Sequence, residues 1–530
     1  MKRFYQSIGG NKWFAKGIAI LICMSLLSGC GSSGTPELSE TSAAGIDSVN
    51  KSTDYNYSID NTGNERGGEV KQMEDNGEYR DTFFQDYGVN PFKDAQQQPL
   101  STFSLDVDTA SYSIARKYIN EGSLPPKDAI RVEEFINYFK RDYPQPSSDT
   151  FSIYTEMAPS AFNRGYNILE VGLQGKNINA VDMKRSSLTF VIDVSGSMDM
   201  DNRLKLVKES LAILVNQVNE SDKIGIVVYG TNGRELLEPT SGSNKERIIN
   251  AINELEPEGS TNAAEGLTIG YDMANSSFIK DGNNRVILCT DGVANQGITN
   301  AEDILAMVED YKARGITLTT LGFGMDNYND IFLETLADKG DGNYSYIDTL
   351  DEAEKVFIDQ LAGTIQVIAK DAKAQVEFDG NSVESYRLIG YENRALNNKD
   401  FRNNSVDAGE IGAGHAVTAL YEIKLKNTAK DGIGTFRLRY KDPQTGKVTE
   451  VSKNIKTSQV CNSFYNATPR FRFITMVAQT AEILKGSTWA SNTKLEDVYK
   501  ILTNDLKDLD LRKEDSGFIE LVKNAIELEE

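Results

Sequence analysis

Histidine is nearly missing from this chain, since His415 is the only one among 530 residues. It follows a Gly-Ala-Gly turn, with no carboxylate or nucleophile beside it in sequence, and we interpret it as a structural residue. The chain also lacks a GxSxG nucleophile elbow, a Walker A loop and an HExxH helix. Ser-His-Asp and Cys-His mechanisms are therefore disfavoured, and we predict a protein that is not an enzyme.

Positive charge is also scarce. The chain carries 56 Lys and Arg residues against 78 Asp and Glu residues, which gives a formal net charge of -22 at pH 7. Nucleic-acid binding needs a basic surface to meet the phosphate charge, so nucleic acid is not an expected partner. The same balance argues against docking of the folded part on anionic lipid through surface charge.

Cysteine occurs four times, which does not suggest a framework of disulfides. Cys23 and Cys30 lie near the N-terminus, whereas Cys289 and Cys461 lie in segments that look unrelated. A single bridge between Cys289 and Cys461 is left open by the sequence. The apolar run around Cys289 favours a buried thiol that behaves as a small hydrophobic side chain.

The apolar run near the N-terminus, from Ile18 to Leu27, is shorter than the roughly 20 residues that a membrane-spanning helix needs. It follows a basic lead and has the length of a secretory-signal core. The stretch that ends it, Leu27-Ser-Gly-Cys30, resembles the lipobox of bacterial lipoproteins. The resemblance implies removal of residues 1–29 and a lipid on the Cys30 thiol. We therefore expect a lipid-anchored, extracytoplasmic protein of the bacterial cell envelope, with the choice between inner and outer membrane left open.

Residues 30–95 contain few large apolar side chains and many Ser, Gly, Asn, Asp and Glu residues. Such a composition buries too little apolar surface to offset chain entropy, so we predict a disordered acidic tether. Residues 96–150 follow as an N-terminal helical segment. Asp108 and Thr109 precede its first helix, where capping of that helix explains them better than a second metal site does.

Strand-like patterns occupy a β region at residues 151–185 and return in a β-rich region at residues 364–460. A domain can be inserted into another because domain termini often lie close together. We therefore hypothesise a β-sandwich that is interrupted by the intervening residues, so that residues 151–173 pair with strands beyond residue 370. Residues 461–530 show helical periodicity and are predicted to form a C-terminal helical region.

The intervening residues 186–363 alternate strand and helix patterns. The first strand-like run, Leu188–Ile192, is apolar throughout, as expected for a strand buried on both faces. Alternation of this kind predicts an α/β fold with a doubly wound, mostly parallel, Rossmann-like sheet and helices on both faces. Ligands bind such sheets beyond the carboxyl ends of the strands.

Polar residues stand at those strand ends. The first strand runs into Asp193-Val-Ser195-Gly-Ser197, a later strand runs into Thr290-Asp291-Gly292, and a loop between two helical stretches carries Thr261. These loops offer only carboxylate and hydroxyl oxygens, which suit Mg²⁺, Mn²⁺ or Ca²⁺ and disfavour zinc. The predicted ligands of this divalent cation are Asp193, Ser195, Ser197, Thr261 and Asp291.

This set resembles the metal-ion-dependent adhesion site of von Willebrand factor type A (VWA) domains, with all five positions filled in the same chain order. The resemblance implies that the hydroxyls ligate the metal directly, and that the aspartates act directly or through water. Neutral ligands leave the cation under-neutralised, so an Asp or Glu carboxylate of a protein partner can fill an open coordination position. Residues 102–144, 386–393 and 412–415, together with the terminal helices, resemble segments of a bacterial family of VWA lipoproteins.

Two other functions for the same site are retained as alternatives. One is a metal-dependent phosphoryl or ester hydrolase with Asp193 as its nucleophile. Ser195 weakens this alternative, because aspartyl phosphatases usually have a second aspartate at that position. The other alternative is an envelope scaffold in which the metal only stabilises the fold.

Overall fold

The computed structural model describes residues 82–530, apart from residues 106–107, 180–181, 293–300, 326–327, 361–362, 364, 428, 430–431, 507 and 530. The predicted signal segment, Cys30 and the part of the tether up to residue 81 lie outside the described residues. Across the described residues, no helix combines the length and the apolar character needed to cross a membrane.

Strands and helices follow one another along the described chain in the order β, α, β, α/β, β, α. The strands are β1 (Lys93–Asp94), β2 (Leu100–Ser104), β3 (Phe151–Pro159), β4 (Asn167–Gly175), β5 (Ser186–Asp193), β6 (Lys223–Tyr229), β7 (Gly233–Ser241), β8 (Asn283–Thr290), β9 (Ile316–Gly322), β10 (Tyr344–Tyr346), β11 (Val367–Phe378), β12 (Val383–Ile389), β13 (Gly409–Gly412), β14 (Ala416–Leu425), β15 (Gly432–Lys441) and β16 (Val448–Lys456). The helices are α1 (Ala110–Asn120), α2 (Val132–Tyr138), α3 (Arg203–Gln217), α4 (Lys245–Asn253), α5 (Ala263–Ser276), α6 (Ala301–Ala313), α7 (Asp330–Lys339), α8 (Leu350–Glu354), α9 (Pro469–Leu484), α10 (Leu495–Asn504) and α11 (Lys513–Glu529).

The predicted doubly wound domain is confirmed. Its sheet has six strands in the order β10-β9-β8-β5-β6-β7. All neighbours pair in parallel except the edge strand β7, which runs antiparallel to β6. Helices α3, α4 and α8 cover one face, and α5, α6 and α7 cover the other. Cys289 is buried in β8, and both Cys289 and Cys461 are unpaired thiols, so the bridge left open by the sequence is absent.

The β-sandwich is built from strands on both sides of this domain. One sheet has the order β1-β12-β14-β4-β3, and the other places β2 and β15 beside β11, with β13 and β16 at its ends. The two sheets share one apolar core. Strand β4 pairs antiparallel with β14, from Asn167 opposite Ile423 to Gln174 opposite Ala416. The hypothesis of an inserted domain is therefore confirmed, because strands that precede and follow it pair directly.

The prediction of a disordered tether up to residue 95 is wrong for residues 82–95. Thr82 is buried, and its hydroxyl donates to the Met325 carbonyl at 2.5 Å. Strand β1 pairs with β12, with Lys93 opposite Tyr386. The physical reason is that this mostly polar stretch contains several aromatic side chains. Their large apolar surface does not show in the average composition of the segment. These side chains are Phe83, Phe84, Tyr87 and Phe92.

The N-terminal segment also departs from a purely helical one, because it begins with β2 on the edge of β11. Its helix α1 then joins two cores. One side of α1, with Ile114 and Tyr118, packs into the core that α5, α6 and α7 share with the central sheet. The other side, with Tyr112 and Ile119, packs against α2 and the C-terminal helices α9, α10 and α11. The two sides of α1 are therefore buried against different parts of the protein, the central sheet domain and the C-terminal helices.

The predicted capping of α1 by Asp108 or Thr109 is wrong. Thr109 occupies the position before the helix, but its side chain accepts no capping hydrogen bond. The Glu134 carboxylate of α2 instead accepts from the Ser111 backbone N–H at 2.8 Å. Asp108 accepts from the Tyr344 backbone N–H at 2.8 Å. An acceptor from another helix satisfies the N–H at the α1 terminus, and such a contact depends on tertiary packing.

Candidate metal centre

Asp193 is the last residue of β5 and is fully buried. Its Oδ1 accepts a hydrogen bond from the Ser195 backbone N–H at 2.8 Å, and its Oδ2 accepts one from the Thr290 hydroxyl at 2.9 Å. Burial first, and then the neighbouring Asp291 carboxylate, raise the pKa of Asp193 to about 7. Neutral donors therefore fix this carboxylate in place without balancing its charge.

The loop after β5 brings two hydroxyls together. Ser195 Oγ lies 3.0 Å from Ser197 Oγ. Ser195 is buried, while Ser197 is half-buried and so lies closer to solvent. The backbone of this loop turns tightly, since the Met198 N–H donates to the Ser195 carbonyl at 3.0 Å. The pair offers two neutral oxygen ligands at the edge of the sheet.

The loop that carries Thr261 is tied to this turn through its backbone. The Glu258 N–H donates to the Val194 carbonyl at 2.5 Å, and the Gly196 N–H donates to the Gly259 carbonyl at 3.1 Å. Gly259 has a φ of +66°, and a Cβ there would meet the Thr231 hydroxyl at 1.9 Å, so only glycine fits. Two hydrogen bonds thus place the Thr261 loop beside the serine loop.

Asp291 follows β8, which is the parallel neighbour of β5 and ends at the same edge of the sheet. Its carboxylate is buried, and this burial raises its pKa, whereas the Ser197 hydroxyl and Arg203 act in the opposite direction. The preceding residue, Thr290, bonds Asp193 as described above. The structure therefore brings Asp193, Ser195, Ser197 and Asp291 into one cluster and holds the Thr261 loop against it.

Two residues of this centre were not predicted. Arg203, the first residue of α3, is buried, and its Nη1 donates to Asp291 Oδ2 at 2.8 Å. Tyr229 lies at the end of β6, and burial first, followed by the negative charge of Asp193, raises its pKa. An arginine at the start of an amphipathic helix and a tyrosine at the end of an apolar strand carry no sequence signal for a metal site.

The residues present fit a divalent cation. Every side chain in the set offers a hard oxygen, which is the ligand type that Mg²⁺, Mn²⁺ and Ca²⁺ take. Two buried carboxylates face each other with raised pKa values, and a single guanidinium touches one of them. A cation held by this set would stabilise both carboxylates in the ionised form.

Two other acidic groups in the described part of the chain contact basic side chains. The first group lies where α1, α2, α7 and the loop after β12 meet, and we call it the seam cluster. It consists of Asp108, Arg131, Glu134, Asp330, Glu334 and Arg394. The second group, Asp341, Asp407 and Glu410, contacts Lys312 and Lys370. Neither group contains a predicted metal ligand.

His415 lies in the turn between β13 and β14. Its backbone carbonyl accepts from the Gly175 N–H at 2.8 Å. A Cβ on Gly363 would lie 2.9 Å from His415 Nε2, so the ring packs against the chain just after the inserted domain. These contacts agree with a structural histidine.

Comparisons with known proteins follow the same division of the chain. The model of the family described as von Willebrand factor type A domain matches residues 187–359. A model described as "Uncharacterized protein YfbK, C-terminal" matches residues 363–528, and one described as "von Willebrand factor" matches residues 78–170.

Two curated proteins and one solved structure illustrate what the chain is similar to. "Uncharacterized protein YfbK" of Escherichia coli (strain K12) is 38% identical over 469 residues, which are 83% of this chain and 80% of that protein. "Uncharacterized protein sll0103" of Synechocystis sp. is 28% identical over 278 residues, and this chain spans only 64% of its length. The solved structure "von Willebrand factor type A from Catenulispora acidiphila" is 17% identical, with a TM-score of 0.40 over 65% of this chain and 81% of that one.

The fold, the site and the domain match define the class of protein: its centre is a VWA domain inserted into a β-sandwich. Because its identity to the Escherichia coli protein is 38% over 80% of that protein's length, the chain belongs to the YfbK family.

Proposed function

We propose that this protein is a lipid-anchored, extracytoplasmic binding protein of the bacterial envelope. Its metal centre holds Mg²⁺, with Mn²⁺ or Ca²⁺ as substitutes, and captures an Asp or Glu carboxylate of a protein partner. The anchor would be a lipid on Cys30. Fatty-acid labelling that persists after Cys30→Ser would contradict that part of the proposal.

One observation supports the binding role most directly. The serine loop, the Thr261 loop and Asp291 lie at one edge of the sheet, where half-buried hydroxyls stand beside buried carboxylates. Buried carboxylates supply the attraction for a cation, while the more exposed hydroxyls are neutral. A divalent ion held in this way keeps positive charge on its open side, and a carboxylate ligand would neutralise it.

The hydrolase alternative receives less support from the same geometry. Both oxygens of Asp193 accept hydrogen bonds from within the protein, and the side chain is fully buried. A nucleophile must reach the substrate, so this carboxylate is poorly placed for attack. Phosphate-ester turnover by the purified protein, lost in Asp193→Ala, would restore this alternative.

The test of the binding role begins with the metal alone. Thr261→Ala removes one hydroxyl that makes no hydrogen bond to any described residue. We expect Mn²⁺ affinity to fall about tenfold, which corresponds to about 1.4 kcal/mol, and the unfolding free energy without metal to stay within about 0.5 kcal/mol. Calorimetric titration with Mn²⁺ measures the first quantity and urea unfolding the second.

The matched control is Thr268→Ala. Thr268 lies on the exposed side of α5, where its hydroxyl donates to the Ala264 carbonyl at 2.8 Å. This control should bind Mn²⁺ like the unaltered protein. Equal Mn²⁺ affinity in both threonine variants would contradict the assignment of the metal ligands.

Partner capture is then measured on envelope extracts, with the full-length protein in detergent. Retention that requires Mg²⁺, is reversed by EDTA and is lost in Thr261→Ala is the expected result. Identical retained proteins with Mg²⁺ and with EDTA would contradict the adhesion mechanism. Loss of thermal stability in EDTA without any change in retained proteins would favour the scaffold alternative.

A further inference from the structure

Arg203 is the one arginine in contact with the candidate ligands within the described residues. Its Nη1 lies 2.8 Å from Asp291 Oδ2 and 3.4 Å from the Ser197 carbonyl. Its side chain is 4% exposed, so its charge is weakly screened by water. The guanidinium therefore acts on the carboxylate that it touches and on the loop that carries the hydroxyl ligands.

The backbone places Arg203 there at a conformational cost. The two residues before it, Asp201 and Asn202, have φ values of +49° and +57°, which non-glycine residues rarely adopt. Such strain persists where the surrounding structure enforces it, and it is common at functional sites. A Cβ on Gly324 would lie 2.6 Å from Arg203 Nε, so this glycine leaves room for the guanidinium.

We propose that Arg203 sets both the orientation of Asp291 and the net charge of the metal centre. This inference rests on the proposed function, since it concerns the same site. Two ionised aspartates and one guanidinium leave the centre with one net negative charge. A divalent cation then carries one uncompensated positive charge toward its open side. Asp201 also approaches Arg203, at 3.4 Å, but its carboxylate is 72% exposed and is screened by solvent.

The consequence is that Arg203 has opposite effects on the affinity for the cation and on the affinity for the acidic partner. Arg203 repels the cation and so weakens metal binding, whereas the same positive charge strengthens binding of a carboxylate to the metal-loaded centre. Arg203 is thus a positioning residue that favours capture of an acidic ligand over tight retention of the metal. A centre without it would hold its cation more firmly and its partner less firmly.

The test uses the full-length protein with two probes, Mn²⁺ alone and then acetate at saturating Mn²⁺. Water-proton relaxation measures both, because acetate displaces water from bound Mn²⁺. Arg203→Met is expected to bind Mn²⁺ about tenfold more tightly and acetate about tenfold more weakly, since each tenfold step corresponds to about 1.4 kcal/mol. Arg203→Lys keeps the charge and should stay within about threefold for acetate.

The matched control is Arg247→Met, which removes an exposed arginine from α4 where it pairs with Glu238. Both affinities should be unchanged in it. If Arg203→Met does not fold, Gly324→Ala displaces the guanidinium without removing its charge, and altered Mn²⁺ and acetate affinities are expected there too.

The outcomes separate this inference from the proposed function. Absence of Mn²⁺ binding in the unaltered protein would contradict the proposed function itself. Normal Mn²⁺ and acetate binding that Arg203→Met leaves unchanged would overturn only the role of Arg203. Tighter Mn²⁺ with unchanged acetate would also overturn it, because Arg203 would then be a stand-in cation that the metal displaces.

Discussion

The candidate metal centre and the seam cluster both bury carboxylates, but they balance the negative charge in different ways. Each has one guanidinium for every two carboxylates. In the seam cluster both arginines bridge two carboxylates each, so every carboxylate touches a positive charge. In the metal centre Arg203 touches Asp291, whereas Asp193 has only neutral donors.

Access to solvent separates the two groups further. The seam carboxylates come from just before α1, from α2 and from α7, and all of them are buried. The metal centre keeps half-buried hydroxyls of Ser197 and Thr261 at its surface. Buried charges need a partner of opposite sign. The seam cluster therefore holds the protein's own counter-charges, whereas the candidate metal centre leaves Asp193 without one, as the proposed cation site requires.

The largest expected effect comes from breaking the seam cluster. Arg131→Met leaves the buried carboxylates of Glu134 and Asp330 without their arginine. Removal of one partner from a buried ion pair typically costs about 3–5 kcal/mol, and we expect that loss in the unfolding free energy measured in urea at pH 7. The exposed control Arg247→Met should lose about 0.5 kcal/mol or less. A loss below about 1 kcal/mol for Arg131→Met would remove the contrast between the two groups.

A smaller effect, a gain in stability on addition of Mg²⁺, is expected at the candidate metal centre. Saturation with Mg²⁺ at 100 times its dissociation constant should stabilise the protein by about 2.7 kcal/mol, and Asp193→Asn should abolish this gain. Without metal, the same variant should change the unfolding free energy by about 1 kcal/mol or less. The asparagine Oδ1 can still accept from the Ser195 N–H, and its Nδ2 can donate to the Thr290 hydroxyl, which then donates to the Gly292 carbonyl. Urea unfolding with and without Mg²⁺ measures both. An equal Mg²⁺ gain in the variant would place the ion elsewhere.

The smallest effect is expected in the pH profile of the seam cluster. Burial raises the pKa of Glu134 to about 7 from an ordinary 4.5, with Arg131 acting against the shift and Glu334 adding to it. A raised pKa in the folded state gives stability that is fully present below pH 4.5 and is lost as pH rises toward 7. Glu134→Gln should flatten this decline, whose slope is at most about 1.4 kcal/mol per pH unit. Parallel profiles for the two proteins would contradict the assignment.

Much of the site was predictable because it depends on local patterns. Asp193, Ser195 and Ser197 follow a continuous apolar strand, and Asp291 follows its parallel neighbour. Strand ends in such sheets share an edge, so the sequence places these oxygens together. The antiparallel edge strand β7 was not predicted, since its exposed polar residues and Pro239 obscure the pattern of a strand.

The tether shows the opposite case. Its polar average predicts disorder up to residue 95, yet Phe84 is buried and β1 joins the sandwich. A few aromatic side chains are enough to order a polar stretch when they can pack against an apolar surface of the folded protein. Composition reports the average of a segment and not the surface that it meets.

The sequence by itself determined the alternation of strands and helices in the VWA domain, the grouping of the candidate oxygen ligands at one edge of the sheet and the return of strands after the inserted domain. Only the tertiary structure decided which strands pair across the insertion, which helix caps α1 and where Arg203 points. The physical reason is that periodicity records which residues of an element are buried, whereas long-range contacts depend on which buried faces meet. The Arg203 guanidinium, which balances the charge of Asp291, comes from 88 residues away in sequence. No local sequence pattern predicts a contact over that separation.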